Sequence, residues 1–528
     1  MPRFLLLGSL LCLATVVAAQ PVQHSDVLLH PSSREALAAL GLDHLAPEIT
    51  DEGLVYRAVL SARELAAVRR AGVRVEVLTA DLAVVLAARP PFTAAQQSAA
   101  RAGSRIEHSV FGSVLGYPSF DEVVAALDSM RTLYPDLISA RTSLGQTLEG
   151  RDVWMVEISD SPGVEEGEPE ALYTATHHAR EPQGMATVLY FMWYLLEQYG
   201  TNPEVTDLVE SRRLFFVPVL NPDGYAYNEV LVGAGQYPGW RKNCRVNEDG
   251  GVCCTLANEG ACGVDLNRNY GYLWGYDEAG SSSNPASATY RGEGPFSEPE
   301  TTALRDFLEG GRRVEIALNY HTYSNLLLYP WGYEDEAYTP DSLTFVTQAQ
   351  SLTALNGYTY GTGPDILYPV NGDSDDWMYG EQTTKPKILS YTPEVGTGAD
   401  GFWPDPSRII PLADENLEMN LLVAEFAVGT PVSRELDTPN DDSVALVANT
   451  PNPFRTTTTL AFTLAESAVI SLVVYDVLGR EVAVLRQGEH PAGRYAAVFE
   501  PLGLPSGLYV ARLTAEGIAR SRSMLLIR

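Results

Sequence analysis

Two periods of hydrophobic residues alternate along the middle of this chain. A helical period occurs in "SFDEVVAALDSMRTLY" and "GMATVLYFMWYLLEQY", whereas "DVWMVEI", "EALYTAT", "RRLFFVPVL" and "RVEIALNY" are short apolar runs typical of buried strands. Strands that alternate with helices indicate an α/β domain. We place this domain at residues 106–428, with "LADENLEMNLLVAEFAV" as its last helix.

The segments on either side have different patterns. Residues 20–105 hold the strand-like runs "LVYRAVL" and "VRVEVL" around a predicted helix, "SARELAAVRR", in which Ser61 and Glu64 form a capping box. Residues 429–443 are polar and predict a linker, and residues 444–528 hold strand-like runs separated by turn signals. The expected fold class is α/β, with a small N-terminal α+β segment and a C-terminal β-sandwich.

The start of the chain and its net charge indicate where the protein is located and which partners it does not bind. Residues 1–19, "MPRFLLLGSLLCLATVVAA", have one arginine and an apolar run, which predicts a secretory signal peptide. No later stretch has 18 unbroken apolar residues, so we expect no stable membrane insertion. The formal net charge of −31 argues against nucleic acid and anionic membranes as partners.

Four cysteines cluster between Cys244 and Cys262. In an exported protein such a cluster predicts two disulfides that hold one loop, and three pairings are open. The alternative is a zinc site made of all four thiolates. The adjacent Cys253 and Cys254 do not have the spacing of such a site.

A candidate metal site lies at the ends of two predicted strands. The strand in "EALYTATHH" leads directly into His178 and Glu181, and the strand "VEIALNY" leads into His321. Open α/β sheets bind ligands at the carboxyl ends of their strands. A catalytic zinc site needs three protein ligands, and His-x-x-Glu alone fits a solvated turn better than a metal site.

Ordered motifs across residues 110–428 resemble the zinc metallocarboxypeptidases of the carboxypeptidase A/B type. The motifs are "HARE", "NPDGYAY", "WRKN", "GVDLNRNY", "HTYSNLLLYPWGY", "LYPVNGDSDDW" and "TPEVG". The resemblance implies a mixed central sheet flanked by helices and one Zn²⁺ per catalytic domain. It implies His178, Glu181 and His321 as the zinc ligands, with His177 as a structural neighbour.

The resemblance also implies roles for two further residues in catalysis. Glu394 in "SYTPEVG" matches the general base and proton shuttle, and the apolar run before it favours a buried position over an exposed one. Arg241 in "GWRKN" matches the arginine that stabilises the developing oxyanion, although by position alone it could be an ordinary surface arginine.

Substrate-binding residues are implied in the same way. Asn267 and Arg268 match the pair that binds the free C-terminal carboxylate, a group that a guanidinium binds through two hydrogen bonds. Tyr368 matches a mobile tyrosine that covers the substrate, and Arg180 matches another arginine on the substrate side.

Asp375 matches the residue that determines side-chain specificity in this family. An acid there resembles the B-type enzymes, which remove C-terminal lysine or arginine, and Asp373 adds charge nearby. The opposite interpretation is that a chain this acidic has aspartates in most loops. Leu328 and Val370 match other pocket positions and would keep the pocket partly apolar, giving mixed specificity.

The expected function is a secreted, monomeric zinc carboxypeptidase that acts on peptide and protein C-termini. The alternatives are a carboxypeptidase of cell-wall peptides and an inactive protein that binds peptide C-termini. By resemblance, residues 20–105 are a propeptide-like segment. Residues 444–528, which contain the Pro-Asn-Pro-Phe sequence at Pro451–Phe454, resemble the sorting domain of the type IX bacterial secretion system. Its expected partner is the export machinery, and its location extracellular or at the cell surface.

Overall fold

The protein is described by a computed structural model. It describes residues 22–31, 42, 45–50, 53–246, 253–256, 262–427, 444–446, 454, 457–476, 480–501, 503–504, 507–515 and 518–526. The predicted signal peptide and the predicted linker 429–443 lie outside the described residues. The chain divides into one unit made of residues 1–337 and 350–429 and a second made of residues 338–349 and 430–528.

The N-terminal part of the first unit is a four-stranded antiparallel sheet with helices. Its strands are β1 (His24–His30), β2 (Ala46–Thr50), β3 (Gly53–Ser61) and β4 (Arg74–Thr79), in the order β2-β3-β1-β4. Its helices are α1 (Ala62–Arg70), α2 (Leu82–Ala87) and α3 (Ala94–Arg101). The capping box is present, since Glu64 N donates to Ser61 Oγ and Ser61 N donates to Glu64. The predicted strand-helix-strand segment therefore carries two further strands.

The rest of the first unit is built on an eight-stranded mixed sheet in the order β11-β10-β12-β9-β7-β8-β6-β5. The strands are β5 (Thr142–Gln146), β6 (Asp152–Ile158), β7 (Glu170–Ala175), β8 (Arg213–Val217), β9 (Val314–Tyr320), β10 (Leu326–Leu328), β11 (Thr359–Gly361) and β12 (Leu389–Glu394). The central strands β12, β9, β7 and β8 are parallel. Strands β7 and β8 are buried along their whole length, as expected for parallel strands covered on both faces.

Helices cover this sheet. They are α4 (Phe120–Leu133), α5 (Pro182–Gln198), α6 (Pro203–Ser211), α7 (Pro222–Gly233), α8 (Pro299–Glu309), α10 (Gly363–Ile366), α11 (Ser374–Gly380), α12 (Ile409–Asp414) and α13 (Leu417–Phe426). A further helix, α9 (Ser342–Leu352), belongs mostly to the second unit. Helix α5 is buried from Pro182 to Leu196, so its apolar sequence reflects a place inside the core. This arrangement confirms the predicted fold class. Among the described residues, none of the helices has the length and apolar character that a membrane span requires.

The second unit contains two antiparallel sheets. One has the order β13-β14-β17, with β13 (Val444–Leu446), β14 (Thr458–Leu464) and β17 (Gly493–Phe499). The other has the order β16-β15-β18-β19, with β15 (Ala468–Asp476), β16 (Glu481–His490), β18 (Gly507–Ala515) and β19 (Ile518–Leu526). Buried residues of both sheets, such as Phe462 and Leu472, share one core. This is the predicted β-sandwich.

Candidate active site

Two neighbouring parallel strands bring three predicted ligands together. Strand β7 ends at Ala175 and is followed by His178 and Glu181, and β9 ends beside it, just before His321. His178 Nδ1 lies 2.9 Å from Glu181 Oε1, and His321 Nδ1 lies 2.9 Å from Glu181 Oε2. The two Nδ1 atoms are 3.0 Å apart. Strand pairing, and not nearness in sequence, therefore forms this group.

The donor set of this group fits a metal ion. All three residues are buried, and one ligand atom of each lies within 4.8 Å of the others. The two imidazole nitrogens and the carboxylate lie within hydrogen-bond distance of one another. Together they have more lone pairs than protons to share, so a metal ion can accept these lone pairs. Two histidines and one glutamate form a known ligand set of catalytic zinc. His177 has a different contact, because its Nε2 lies 2.9 Å from the Tyr270 hydroxyl.

Asp265 contacts both His178 and Arg241, and the sequence did not lead us to predict a role for it. Its Oδ1 lies 3.1 Å from His178 Nε2, and its Oδ2 accepts bonds from Arg241 Nε at 3.0 Å and Nη2 at 2.7 Å. Burial alone would raise the pKa of Asp265, but Arg241 and His178 hold it well below its usual range. The signal was available, because a histidine that binds metal commonly shares its second nitrogen with a carboxylate.

Three further cationic or amide side chains line the site. Arg241 is buried, and its Nη1 lies 3.2 Å from His178 Nδ1. Asn267 accepts a bond from Ser374 N at 2.9 Å and directs its Nδ2 toward His321 Nε2 at 3.4 Å. Arg268 is also buried, and its Nη1 donates to the Asn267 carbonyl oxygen at 2.7 Å. Arg241 and Arg268 thus supply positive charge to the site.

Glu394 is the last residue of β12 and lies in the site. His321 N donates to the Pro393 carbonyl at 2.9 Å, which places Glu394 beside the metal-binding group. Its Oε2 has no hydrogen-bond partner among the described residues. Burial, opposed by His321 and reinforced by Glu181, raises the pKa of Glu394 to about 8. A carboxylate with such a pKa suits proton transfer near neutral pH.

One cavity is lined by nearly all of the predicted site residues. Its lining includes Asp375 and Tyr368 as well as the groups above, and the predicted exception is Arg180. Arg180 is buried with its guanidinium 3.8 Å from the centre of the Phe402 ring, and it lines a neighbouring cavity shared with the N-terminal sheet.

The comparisons with known proteins agree with this geometry. The sequence model of the zinc carboxypeptidase family matches residues 123–419, more than half of the chain. A zinc carboxypeptidase of Saccharothrix mutabilis subsp. capreolus is 31% identical over 385 residues, which cover 71% of this chain and 81% of that protein. The chain belongs to the zinc carboxypeptidase family. It is therefore a hydrolase, a metallocarboxypeptidase, and its His-Glu-His group could hold the metal that these enzymes use.

Two other relatives add detail to the zinc carboxypeptidase assignment. Carboxypeptidase B of Astacus astacus is 35% identical over 324 residues, which cover 60% of this chain and 98% of that protein. The crystal structure of the carboxypeptidase A from Helicoverpa armigera has a TM-score of 0.61 at 24% identity and covers 78% of this chain and 98% of that chain. The second likeness concerns the fold alone. The inactive and cell-wall alternatives are not favoured by these relatives.

The four clustered cysteines form two disulfides. Cys244 pairs with Cys254 and Cys253 pairs with Cys262, which decides among the three pairings and excludes the four-thiolate zinc site. The cross-linked loop begins three residues after Arg241 and ends five residues before Asn267. In this zinc carboxypeptidase the disulfides therefore stabilise the segment that carries the cationic side of the site.

Proposed function

We propose that this zinc carboxypeptidase is secreted and removes C-terminal residues from peptides and proteins, with a preference for lysine and arginine. The observation that carries the preference is a buried acid in the cavity lining. Asp375 is buried in the lining that also contains Arg268 and the His-Glu-His group. A cationic C-terminal side chain of the substrate would supply a positive charge to pair with the Asp375 carboxylate.

The proposed ligands of the zinc ion are His178, Glu181 and His321. When bound there, zinc would polarise the scissile carbonyl and make an attacking water more acidic. Their converging ligand atoms and their burial support this assignment.

The proposed chemistry uses two further residues. Glu394, buried and adjacent to His321, would accept the proton of the attacking water and pass it to the leaving amine. Arg241, held by two bonds to Asp265, would stabilise negative charge on the carbonyl oxygen. A guanidinium fixed before the reaction needs no reorganisation as this charge develops.

The proposed recognition of a chain end uses four residues. Asn267 and Arg268 would bind the terminal carboxylate, and Tyr368 would cover the bound residue. Arg180, outside the catalytic cavity, would contact substrate residues further from the chain end. The apolar Leu328 and Val370 line the same cavity as Asp375, which supports activity on some apolar C-terminal residues as well.

We propose that residues 20–105 act as a propeptide. Tyr368 packs against the apolar core of the N-terminal sheet, which includes Val27, Leu29 and Tyr56. The His24 ring lies 5.1 Å from the Tyr237 ring, and Arg89 Nη1 donates to the Pro404 carbonyl. A tyrosine held in this way cannot move over a substrate, so removal of the segment should raise activity.

Export is also a proposal. The apolar N-terminal run, the two disulfides and the acidic composition suit an oxidising extracellular compartment. The C-terminal β-sandwich would serve as the sorting domain, with the bacterial export machinery as its partner.

The test of this function is hydrolysis of blocked dipeptides ending in arginine, lysine, phenylalanine or glutamate. Protein that begins at residue 106 is compared with the chain from residue 20, each with and without a zinc chelator. Chelator-sensitive release of arginine and lysine ahead of phenylalanine, faster in the shorter protein, supports the proposal. Release of phenylalanine alone would overturn the basic preference, and equal rates for the two proteins would overturn the propeptide role.

A further inference from the structure

The chain beside each arginine of the site contains a buried asparagine. Asn243 lies two positions after Arg241, and Asn269 directly follows Arg268. Both asparagines are 0% exposed, and neither lines the catalytic cavity, so a substrate bound there does not contact them. Their amide groups therefore bond to the protein itself.

Asn243 fixes the segment that carries Arg241. Its Oδ1 accepts bonds from Val264 N at 2.8 Å and Arg245 N at 3.2 Å, and its own N–H donates to the Val264 carbonyl at 3.0 Å. Val264 precedes Asp265, whose carboxylate accepts two bonds from the Arg241 guanidinium. Asn243 therefore helps to fix Arg241 relative to the carboxylate that orients it.

Asn269 fixes the segment that carries Arg268. Its Nδ2 donates to the Arg291 carbonyl and to the Ser297 hydroxyl, both at 2.9 Å. Its Oδ1 accepts a bond from the Thr301 hydroxyl at 2.7 Å. An amide that is bonded at both its oxygen and its nitrogen has one favoured orientation, so these contacts hold the backbone next to Arg268.

Glu298 contacts both asparagines. Its Oε2 accepts a bond from Asn243 Nδ2 at 2.7 Å, and its main-chain N–H donates to Asn269 Oδ1 at 3.2 Å. Arg245 Nε lies 2.6 and 2.7 Å from the two carboxylate oxygens. Glu298 is the N-cap of α8, yet its carboxylate makes no capping bond, and its side chain is 0% exposed. The carboxylate is therefore committed to the segment that follows Arg241.

We propose that Glu298 is a positioning residue for the reaction. Its carboxylate holds the segment of Arg241 through Asn243, and its main-chain N–H holds the segment of Arg268 through Asn269. This inference rests on the proposed function, in which Arg241 acts on the scissile carbonyl and Arg268 binds the terminal carboxylate. One residue separates these two groups in any substrate, so the two arginines must keep one spacing for both contacts to form together.

Glu298→Gln tests the contact on the Arg241 side, because it keeps the shape of the side chain and removes its charge. Arg245 then loses its charged partner, and Asn243 keeps only a neutral acceptor. Since Arg241 is proposed to act on charge that develops in the transition state, kcat should fall while KM stays nearly constant. We expect a fall of about 10-fold in kcat, the lower end of the value of a hydrogen bond to a charged group, and a change of less than about twofold in KM.

Thr301→Val tests the contact on the Arg268 side. It removes the hydroxyl that bonds Asn269 and keeps the size of the side chain. Since Arg268 is proposed to bind the terminal carboxylate before and during the reaction, KM should rise with kcat unchanged. The expected rise is about 3- to 10-fold, the value of a neutral hydrogen bond. This variant changes no charge, so it keeps the inference testable if Glu298→Gln does not fold.

Glu157→Gln is the matched control. Glu157 is 5% exposed, accepts bonds from Arg213 Nε at 2.7 Å and Nη2 at 3.1 Å, and lies outside the cavity lining. This variant also breaks a buried glutamate–arginine pair, so its melting temperature should fall while its kcat and KM stay at the wild-type values.

All variants are measured as the full chain, on the same dipeptides, beside the reference variants Arg241→Ala and Arg268→Ala. The inference is wrong if Glu298→Gln keeps the wild-type kcat or if Thr301→Val keeps the wild-type KM. It is also wrong if Glu157→Gln shows the same kinetic losses. If Arg241→Ala does not lower kcat, or Arg268→Ala does not raise KM, the proposed roles of the arginines are overturned instead, so the two failures are distinguishable.

Discussion

Asp265→Asn is the substitution that tests how the site is supported. The change keeps the shape of the side chain and removes its charge, so Arg241 loses a charged partner and His178 loses the carboxylate at its Nε2. Asp265 is 0% exposed, so water cannot replace it.

Two magnitudes follow from this geometry. Removal of one partner of a buried ion pair costs about 3–5 kcal/mol, and we expect a value near 3 because the amide oxygen still accepts one bond. Loss of the partner of a metal-binding histidine lowers metal affinity by about 10- to 100-fold. Activity measured at saturating zinc should also fall, because Arg241 is no longer held in place.

The assay is equilibration of the enzyme in zinc buffers of known free concentration, with bound zinc and melting temperature measured together. Asp223→Asn is the matched control, because Asp223 is also buried and pairs with Arg151 at 2.8 Å, outside the catalytic cavity. The control should lose stability and keep its zinc affinity. Wild-type zinc affinity in Asp265→Asn, or an equal loss of affinity in the control, would refute the reasoning.

Three further predictions concern catalysis, stability and processing. Glu394→Gln should lower kcat by about 10²- to 10⁴-fold with zinc content unchanged, and a loss of zinc instead would show that Glu394 acts as a ligand. Burial raises the pKa of Glu300 from its ordinary 4.5 to about 8, so the folded state binds this proton more tightly than the unfolded chain. The free energy of unfolding should therefore fall between pH 4.5 and 8, by at most about 1.4 kcal/mol per pH unit. Denaturant titrations should show a flatter profile for Glu300→Gln, and an unchanged slope would contradict this assignment. Brief trypsin treatment should cut first after Arg101, because α3 has no buried residue whereas Ser104 and the next amide already bond the Tyr190 hydroxyl. N-terminal sequencing should then begin at Ala102, and first cuts within the catalytic domain would count against it.

The local pattern of hydrophobic residues was sufficient to predict a large part of the fold and the positions at which strands end. The runs that contain β7 and β9 are mostly apolar because these strands are largely buried on both faces, and this property is visible in the sequence. A turn that follows such a strand places its residues at the sheet edge. This is why His178, Glu181 and His321 could be proposed before their distances were known.

Contacts between distant parts of the chain could not be predicted from the sequence. The pairing of Cys244 with Cys254 depends on the path of one loop, and three pairings are chemically equivalent in the sequence. Asp265 is one acid among 67 acidic residues, and its importance comes from contacts with His178 and Arg241, 87 and 24 positions away.

The sequence by itself determined the main strands and helices of the catalytic domain, the family and the residue types of the site, because these depend on local periodicity and on motifs. Only the tertiary structure decided which atoms face each other. Asp373 and Asp375 are equal acids in the printed sequence. The fold gives Asp375 three donors and leaves one buried oxygen of Asp373 without a hydrogen-bond partner among the described residues. Hydrogen bonds of this kind act over about 3 Å, so they depend on side-chain positions that only the packing of the whole domain sets.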